Sequence, residues 1–454
     1  LTKPFNRERA GVILGRGTYG NKALASTMSR NLFLDQAMDL VRALRPDFTA
    51  VEVKQLQESL KSQLMPFQAE HIGVLTPNVI AGLIANRLDL MGPSSIVDAA
   101  CASTLIAVEQ AVRELESGRC DLMITGGIHS HTPPQIFIQF CRINALSRDK
   151  IRPFQKGSEG TLLGEGVGML VLKRRADAER DGDRIYAVIR GVGTASDGKA
   201  KGLLAPRLEG EVLAVRRAYA TSGIDPDTVD LIEAHGTGTS IGDRTEIDSL
   251  NTVFGGRGPG PQIAITAVKS MIGHCMPASG AAALIKTALA LHHKVLPPML
   301  CDEPDPTLGL EKTPFYLNTE TRPWVHGKPH PRRAGVNAFG FGGINSHFIL
   351  EEYVPTSPQP TAALHAPIGS ELLMLAADSA MALASKAQHA LAHLSGPAPA
   401  SLDVVALASA RETQGTHRLA IVAADATELT KKLEQVIAKL VDTEVEPFKT
   451  RNGI

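Results

Sequence analysis

Three segments bring reactive side chains to the ends of apolar runs. In SSIVDAACASTL a short apolar run passes through small residues into Cys101, and an amphipathic run follows at once. Ala99, Ala100 and Ala102 permit a tight strand-to-helix turn that exposes the cysteine at a helix N-terminus. There the helix dipole and free N–H groups favour the thiolate, the reactive form. In LIEAHGTGTSIGD, His235 leaves an apolar run and enters a Gly/Thr loop. In AVKSMIGHCMPASG, His274 follows a similar run, with Lys269 before it. Histidines beyond the carboxyl ends of strands lie where α/β sheets place their sites. Each segment alone has a plainer reading, as a buried inert thiol or a hydrogen-bonded loop histidine. Together they form a Cys-His-His set. A cysteine with Asn or Asp would point to a papain-like hydrolase. A cysteine with two histidines suits acyl transfer in which the histidines bind and decarboxylate a second substrate. A fourth segment, AFGFGGINSH, surrounds Phe341 with Gly340, Gly342 and Gly343. Its backbone is free to approach a ligand and to offer N–H groups to an oxyanion; the plainer reading is a Gly-rich turn entering a strand.

Other patterns carry less. Gly15, Gly17 and Gly20 form G-x-G-x-x-G after a strand, yet no ribose-binding acid follows at the required distance, so the segment reads as a turn. His292 and His293 are adjacent and face different sides of a helix. His129 and His131 have no Cys, Asp or Glu close by in sequence, so no metal is expected. Five cysteines, with no C-x-x-C pair, fit a reduced cytoplasmic protein with free thiols.

The elements that must position these residues alternate between strand and helix. GVIL (11–14), SSIVD (94–98), DLMITGG (121–127), GVGMLVLKR (166–174) and RIYAVIRGVG (184–193) read as strands. So do VDLIEAHG (229–236), QIAITAVKS (262–270) and SHFILEEY (346–353), the last opened by GVNAFGFGG. Helices are expected over 79–92, stopping at Gly92, over 102–118, 210–223 and 280–294. Another covers 245–255, begun by Asp243 with Glu246 at capping-box spacing. The recurring rhythm implies a duplicated α/β unit. Residues 354–369 have a linker composition, and 370–454 read as a small α/β unit. The 454 residues are 43% hydrophobic, enough for a large core. Lys plus Arg equals Asp plus Glu at 47 each, which leaves no electrostatic footprint for general nucleic-acid binding. No run of about 18 apolar residues is present to span a membrane. The opening LTKPFNRERAG has no signal-peptide apolar region, and both ends read as those of a piece of a longer polypeptide.

DAACAST, EAHGTGT, KSMIGH and GFGG, in this order and spacing, resemble the β-ketoacyl synthase domain of type I polyketide synthases. The resemblance covers residues 1–353, and 370–454 resemble the linker domain between a ketosynthase and an acyltransferase. GRGTYGN and the long insert before LTPNVIAGLIANRLDL are more similar to multifunctional synthases of the polyunsaturated-fatty-acid or iterative kind. The resemblance implies a thiolase fold, five layers αβαβα from two duplicated halves, in a homodimer. It implies that Cys101 accepts an acyl chain from an acyl carrier protein. His235 and His274 would assist decarboxylation of a malonyl-type extender, and condensation would give a β-ketoacyl thioester. Lys269 would support the histidines with Glu246 as its partner. The N–H groups of Cys101 and Phe341 would form the oxyanion hole, and Thr237 and Thr239 would touch the phosphopantetheine arm. No cofactor is bound directly, and an acyltransferase domain is expected in the same polypeptide. Domains of this family carry a further N-terminal strand of the pattern IAIVGMG, so one strand and its neighbouring helix are expected to be absent here. Ser346 stands where Ala is common, without catalytic consequence. Alternatives within the family are a non-elongating ketosynthase and a thiolase-like acyltransferase.

Overall fold

Two mixed sheets with the same internal wiring form the larger of two compact units, which divide between Val354 and Pro355. The computed structural model describes residues 5–17, 32–64, 76–130, 132–199, 202, 205–355, 369–396, 399–410 and 414–441. Gly20, His131 and most of the 354–369 linker lie outside them. The first half comprises β1 (Ala10–Gly15), α1 (Leu34–Leu44), α2 (Ala50–Gln63), α3 (Asn78–Leu88), β2 (Ser94–Val97) and α4 (Ser103–Glu116). It continues with β3 (Leu122–His129), α5 (Pro134–Arg142), β4 (Gly166–Leu172) and α6 (Arg175–Arg180). The second half comprises β5 (Val188–Ser196), α7 (Leu208–Ser222), β6 (Leu231–Glu233), α8 (Ser240–Phe254), β7 (Ile263–Thr266) and α9 (Lys269–Ile272). There follow α10 (Ser279–His293), β8 (Val295–Leu296), β9 (Phe315–Leu317), β10 (Arg322–Pro323), β11 (Arg333–Gly340) and β12 (Ile344–Glu351).

The first sheet runs β2-β1-β3-β4 and the second β5-β12-β11-β6-β7-β9. β1 lies parallel to β2 and β3, and β3 antiparallel to β4. Likewise β6 lies parallel to β7 and β11, and β11 antiparallel to β12. The duplication expected from rhythm alone is therefore a repeated strand order. β5 has no counterpart among the described residues of the first sheet. There β4 turns Val167, Met169 and Val171 to solvent.

α4 and α10 pack against each other and against both sheets, and form the middle layer. α3 covers the first sheet; α7 covers the second, with α8 against it. This is the five-layer αβαβα arrangement of the thiolase fold. The middle layer is the main core: Leu105 and Val108 of α4, Leu284 and Leu291 of α10, and Val336 and Phe348 of the second sheet share one buried cluster. Both central helices start at the same end, so their N-termini converge where Cys101 and His274 lie. β1 is buried along its whole length, as a strand covered on both faces must be.

Several local expectations change. The 79–92 helix stops at Leu88 because Asp89 takes a left-handed conformation (φ 54°), before Gly92 is reached. α8 begins at Ser240, with Asp243 inside it rather than at its cap, because that carboxylate turns back to the preceding loop. Residues 335–340 of GVNAFGFGG lie in a strand of their own, β11, paired with β12 in an antiparallel hairpin whose tip is the Gly-rich turn. Within the long insert the described residues form α1 and α2 around Leu34, Met38 and Val53. Its signal stood in the sequence: Thr49 and Glu52 make a complete capping box.

The smaller unit joins β13 (Glu371–Ala377) to β14 (His417–Ala423) and packs α11 (Ala380–Ser395), α12 (Leu402–Ser409) and α13 (Ala426–Leu440) around one apolar cluster. Among the described residues no helix is long and apolar enough to cross a membrane.

Gly15, first of the G-x-G-x-x-G pattern, has a packing role. A Cβ there would lie 2.5 Å from the backbone of Ser103 and Thr104, the first turn after Cys101. Gly15→Ala is expected to lower unfolding free energy by about 1–3 kcal/mol, as read from urea denaturation.

Candidate active site

Cys101 sits in a single 3-10 turn, Ala100–Ala102, that links β2 to α4. Ala100 holds a positive φ of 49°, a strained conformation that a non-glycine residue keeps only where its surroundings enforce it. Those surroundings are close. Ser103 Oγ accepts from Ala99 N–H at 2.8 Å, and a Cβ on Gly340 would stand 2.7 Å from Ala99 O. The hairpin tip therefore presses on the turn that carries the thiol.

His274 comes from the other half. Its backbone is fixed by pairing with Leu162 O at 2.7 Å and Gly164 N at 3.0 Å. Its Nε2 lies 3.1 Å from Cys101 Sγ. Its Nδ1 accepts the Met276 N–H at 3.1 Å and contacts Ser279 Oγ at 2.7 Å. An N–H has only a proton to offer, so Nδ1 is the acceptor and the neutral ring carries its proton on Nε2, toward sulfur. His235 shows the same polarity. Lys269 Nζ donates to His235 O at 2.5 Å and reaches Nδ1 at 3.4 Å, which leaves Nε2 to carry the proton. The two imidazoles meet edge to face with centroids 5.8 Å apart.

Burial pushes both histidines well below their ordinary pKa, and the nearby Lys269 charge adds to it. They are neutral donors. Burial also pushes the Cys101 thiol up to about 11, against the pull of Lys269 and of the Phe341 and Cys101 amides. Those two amides favour charge on the sulfur. Lys269, wholly buried, has its own pKa lowered by desolvation, while Glu246 opposes that through charge.

Glu246 does more than face Lys269. Its carboxylate accepts the N–H groups of His235 at 2.7 Å and Gly236 at 2.8 Å, and the Asn337 side-chain amide at 2.8 Å. Asn337 Oδ1 then receives His347 Nδ1 at 2.6 Å, and His347 Nε2 meets the Tyr219 hydroxyl at 3.3 Å. The polarity is fixed throughout: Tyr219 donates to His347, His347 to Asn337, and Asn337 to Glu246. This buried relay pins the His235 loop from behind. Sequence reasoning missed it; its only signal was an amide and a histidine within otherwise apolar strands.

A cavity of about 450 Å³ collects these groups. Cys101, His235, His274, Glu246, Thr237, Thr239 and the Gly340–Gly343 turn all line it. Lys269 acts from behind the wall. Thr237 and Thr239 join their hydroxyls at 3.1 Å. Phe140, Ile143 and Phe341 supply an apolar side. Among the described residues no group of three or more His, Cys, Asp or Glu is arranged to hold a metal ion.

Two outcomes are expected. Alkylation of Cys101 by iodoacetamide, followed by peptide mass spectrometry, should quicken about tenfold per pH unit from pH 7 toward the thiol's high pKa; a plateau below pH 8 would contradict the burial argument. Asn337→Ala should cost about 1–3 kcal/mol of stability by orphaning His347 and a Glu246 oxygen, measured by chemical denaturation.

Known proteins share these features. The family model for the β-ketoacyl synthase N-terminal domain matches residues 47–178, and that for its C-terminal domain matches 186–301. A third, the ketoacyl-synthetase C-terminal extension, matches 304–422. The chain is 40% identical over 349 residues to a polyunsaturated fatty acid synthase subunit of Thraustochytrium, which covers 75% of this chain and 12% of that protein. It is 36% identical over 393 residues to the polyketide synthase PksN of Bacillus subtilis, covering 83% of this chain and 7% of that protein. The chain thus spans a small fraction of these curated relatives. Among solved structures, the ketosynthase from module 6 of the bacillaene synthase of Bacillus subtilis superposes with a TM-score of 0.63 at 30% identity, over 96% of this chain and 68% of that one. The oxazolomycin ketosynthase domain OzmH KS7 of Streptomyces albus gives a TM-score of 0.62 at 32% identity, over 95% and 68%. With both halves matched by the family's models and the Cys101 thiol held 3.1 Å from His274, the chain belongs to the β-ketoacyl synthase family, as a condensing ketosynthase domain of the type I polyketide synthase kind.

Proposed function

We propose that this domain extends an acyl chain by decarboxylative Claisen condensation, with both substrates delivered on the phosphopantetheine arm of an acyl carrier protein. The observation that carries the reading is the 3.1 Å approach of His274 Nε2 to Cys101 Sγ, with Nδ1 already occupied as an acceptor. In the first step the Cys101 sulfur attacks the carrier thioester, a new C–S bond forms, and the pantetheine thiol leaves with the proton. A thiolate nucleophile thereby splits one hard reaction into two easier ones. In the second, the C–C bond to the malonyl carboxylate breaks and carbon dioxide leaves. The electron pair moves onto the thioester oxygen as an enolate, which the Nε2–H groups of His235 and His274 hold. The enolate carbon then attacks the Cys101 acyl carbonyl. The amides of Cys101 and Phe341 receive the oxyanion, and collapse expels the Cys101 thiolate.

Lys269 polarises His235 through its carbonyl and Nδ1. Thr237 and Thr239 offer paired hydroxyls to the pantetheine amides, and Gly340, Gly342 and Gly343 let Phe341 shift as the arm enters. Residues 370–454 form a linker unit toward an acyltransferase domain of the same polypeptide, and the ketosynthase unit pairs as a homodimer in the cytoplasm. The 40% identity to a polyunsaturated fatty acid synthase supports a place among synthases of that kind.

Intact-protein mass spectrometry with a panel of acyl thioesters is the test. Cys101→Ala should lose the acyl adduct and all condensation. His235→Ala or His274→Ala should lower release of carbon dioxide from malonyl carrier protein by about 10²–10³, the usual cost of one oxyanion donor. Adduct formation without any carbon dioxide release in the wild type would favour a non-elongating or thiolase-like acyltransferase. Because both histidines are held neutral, decarboxylation should show no histidine limb between pH 5.5 and 7.5; a limb near 6.5 would mean that one of them works as an imidazolium.

A further inference from the structure

The cavity has polar lining that the reaction above leaves unused. Asp197 after β5, Glu211 in the first turn of α7 and Asn345 in β12 line it together with the catalytic side chains. Asn345 Nδ2 donates to Asp197 Oδ1 at 2.7 Å, so that pair satisfies itself. Glu211 is different. It is 1% exposed; Ser249 bonds to its carboxyl, yet Oε2 is buried without a hydrogen-bond partner. Leaving a buried polar atom so costs about 1–3 kcal/mol. The fold does not call for it. Glu211 shares a helix face with Val215 and Ala218, both fully buried, where an apolar side chain would pack at no such cost. Burial, with Glu246 and Asp197 nearby, also pushes its carboxyl well above the usual range. A neutral acid both donates and accepts.

We propose that Glu211 is a specificity-determining residue: it is a hydrogen-bonding wall of the acyl cavity and selects chains that carry a hydroxyl or keto oxygen over bare hydrocarbon chains. The proposal rests on the reading of Cys101 as the acyl acceptor. A chain ending in a carboxylate would meet Asp197 and Glu246, which repel it. A hydrocarbon would leave Oε2 unpaired, whereas an alcohol or ketone completes it. The condensation itself makes such chains. Its product bears a keto group on the carbon next but one to the thioester, and that oxygen is retained unless full reduction precedes the next visit to Cys101. The class of reaction that supplies this substrate is therefore condensation with partial or no reduction.

The test is competition between hexanoyl and 3-hydroxyhexanoyl pantetheine thioesters for Cys101 on the whole chain, read by intact mass. The wild type should load the hydroxylated chain at least about tenfold faster, because a site built to bond a hydroxyl rejects the analogue lacking it. Glu211→Leu should bring the ratio toward one, and Glu211→Gln, which still donates and accepts, should keep it above one. Equal loading by the wild type overturns the proposal, even if the leucine variant fails to fold. So does a ratio that survives Glu211→Leu, or preferential loading of a 6-aminohexanoyl chain, which would mark an ammonium site instead. An acetyl thioester serves as the separate control: if it too fails to load wild-type Cys101, the proposed function falls rather than the role of Glu211.

Discussion

The contact between Cys101 Sγ and His274 Nε2 requires residues 173 positions apart to meet at 3.1 Å. Neither half of the duplicated fold holds both. The thiol stands at the start of α4 in the first half, and the histidines follow strands of the second. What brings them together is the middle layer, where α4 and α10 pack against each other. A short bond marks the join: the Thr104 hydroxyl donates to Pro277 O at 2.5 Å, one turn from Cys101 and from His274. The absence of side chains at Gly15 and Gly340 lets β1 and the β11–β12 tip close on the same turn. Each of these approaches works at tenths of an ångström, the tolerance that catalytic geometry demands.

Dryness is the second constraint, and it follows from the first. Groups drawn this tightly together lose their water. Desolvation makes the histidines neutral and the thiol reluctant to ionise. In the proposed reaction, neutral imidazoles with fixed Nε2 protons would steady a developing oxyanion without holding a full positive charge in the resting state. The thiol's reluctance is countered by Lys269 and two backbone amides, whose orientation is set during folding and costs nothing at the moment of reaction. The relay from Tyr219 to Glu246 extends this order backward, because any slack in Glu246 would let the His235 loop drift.

Much of this was legible in the sequence. Cys101, His235, His274 and the Gly340–Gly343 turn each announced themselves as an unusual residue at the end of an apolar run, and most strands and helices followed from periodicity. Other features were hidden for physical reasons. Asp243 and Glu246 satisfied a capping pattern, yet burial turned both carboxylates toward loop amides that only the tertiary fold supplies. Gly15 mimicked a phosphate loop because close helix packing and close phosphate packing ask the same thing of a residue. Glu211 drew no notice in the sequence; its alignment with Val215 and Ala218 on one helix face was the clue that it points inward.

Two helices starting at one spot have an electrical consequence. The N-termini of α4 and α10, with the Lys269 charge behind them, favour negative charge at Cys101, while Asp197 and Glu246 disfavour it elsewhere in the same cavity. In the proposed reaction the extender enters as an anion and sheds a neutral gas. The charge moves from a carboxylate to an enolate oxygen and then vanishes when the new carbon–carbon bond closes and the sulfur is reprotonated. The negative charge that the helix ends and Lys269 steady is thus present only while the reaction runs, and the neutral product that leaves no longer draws on it.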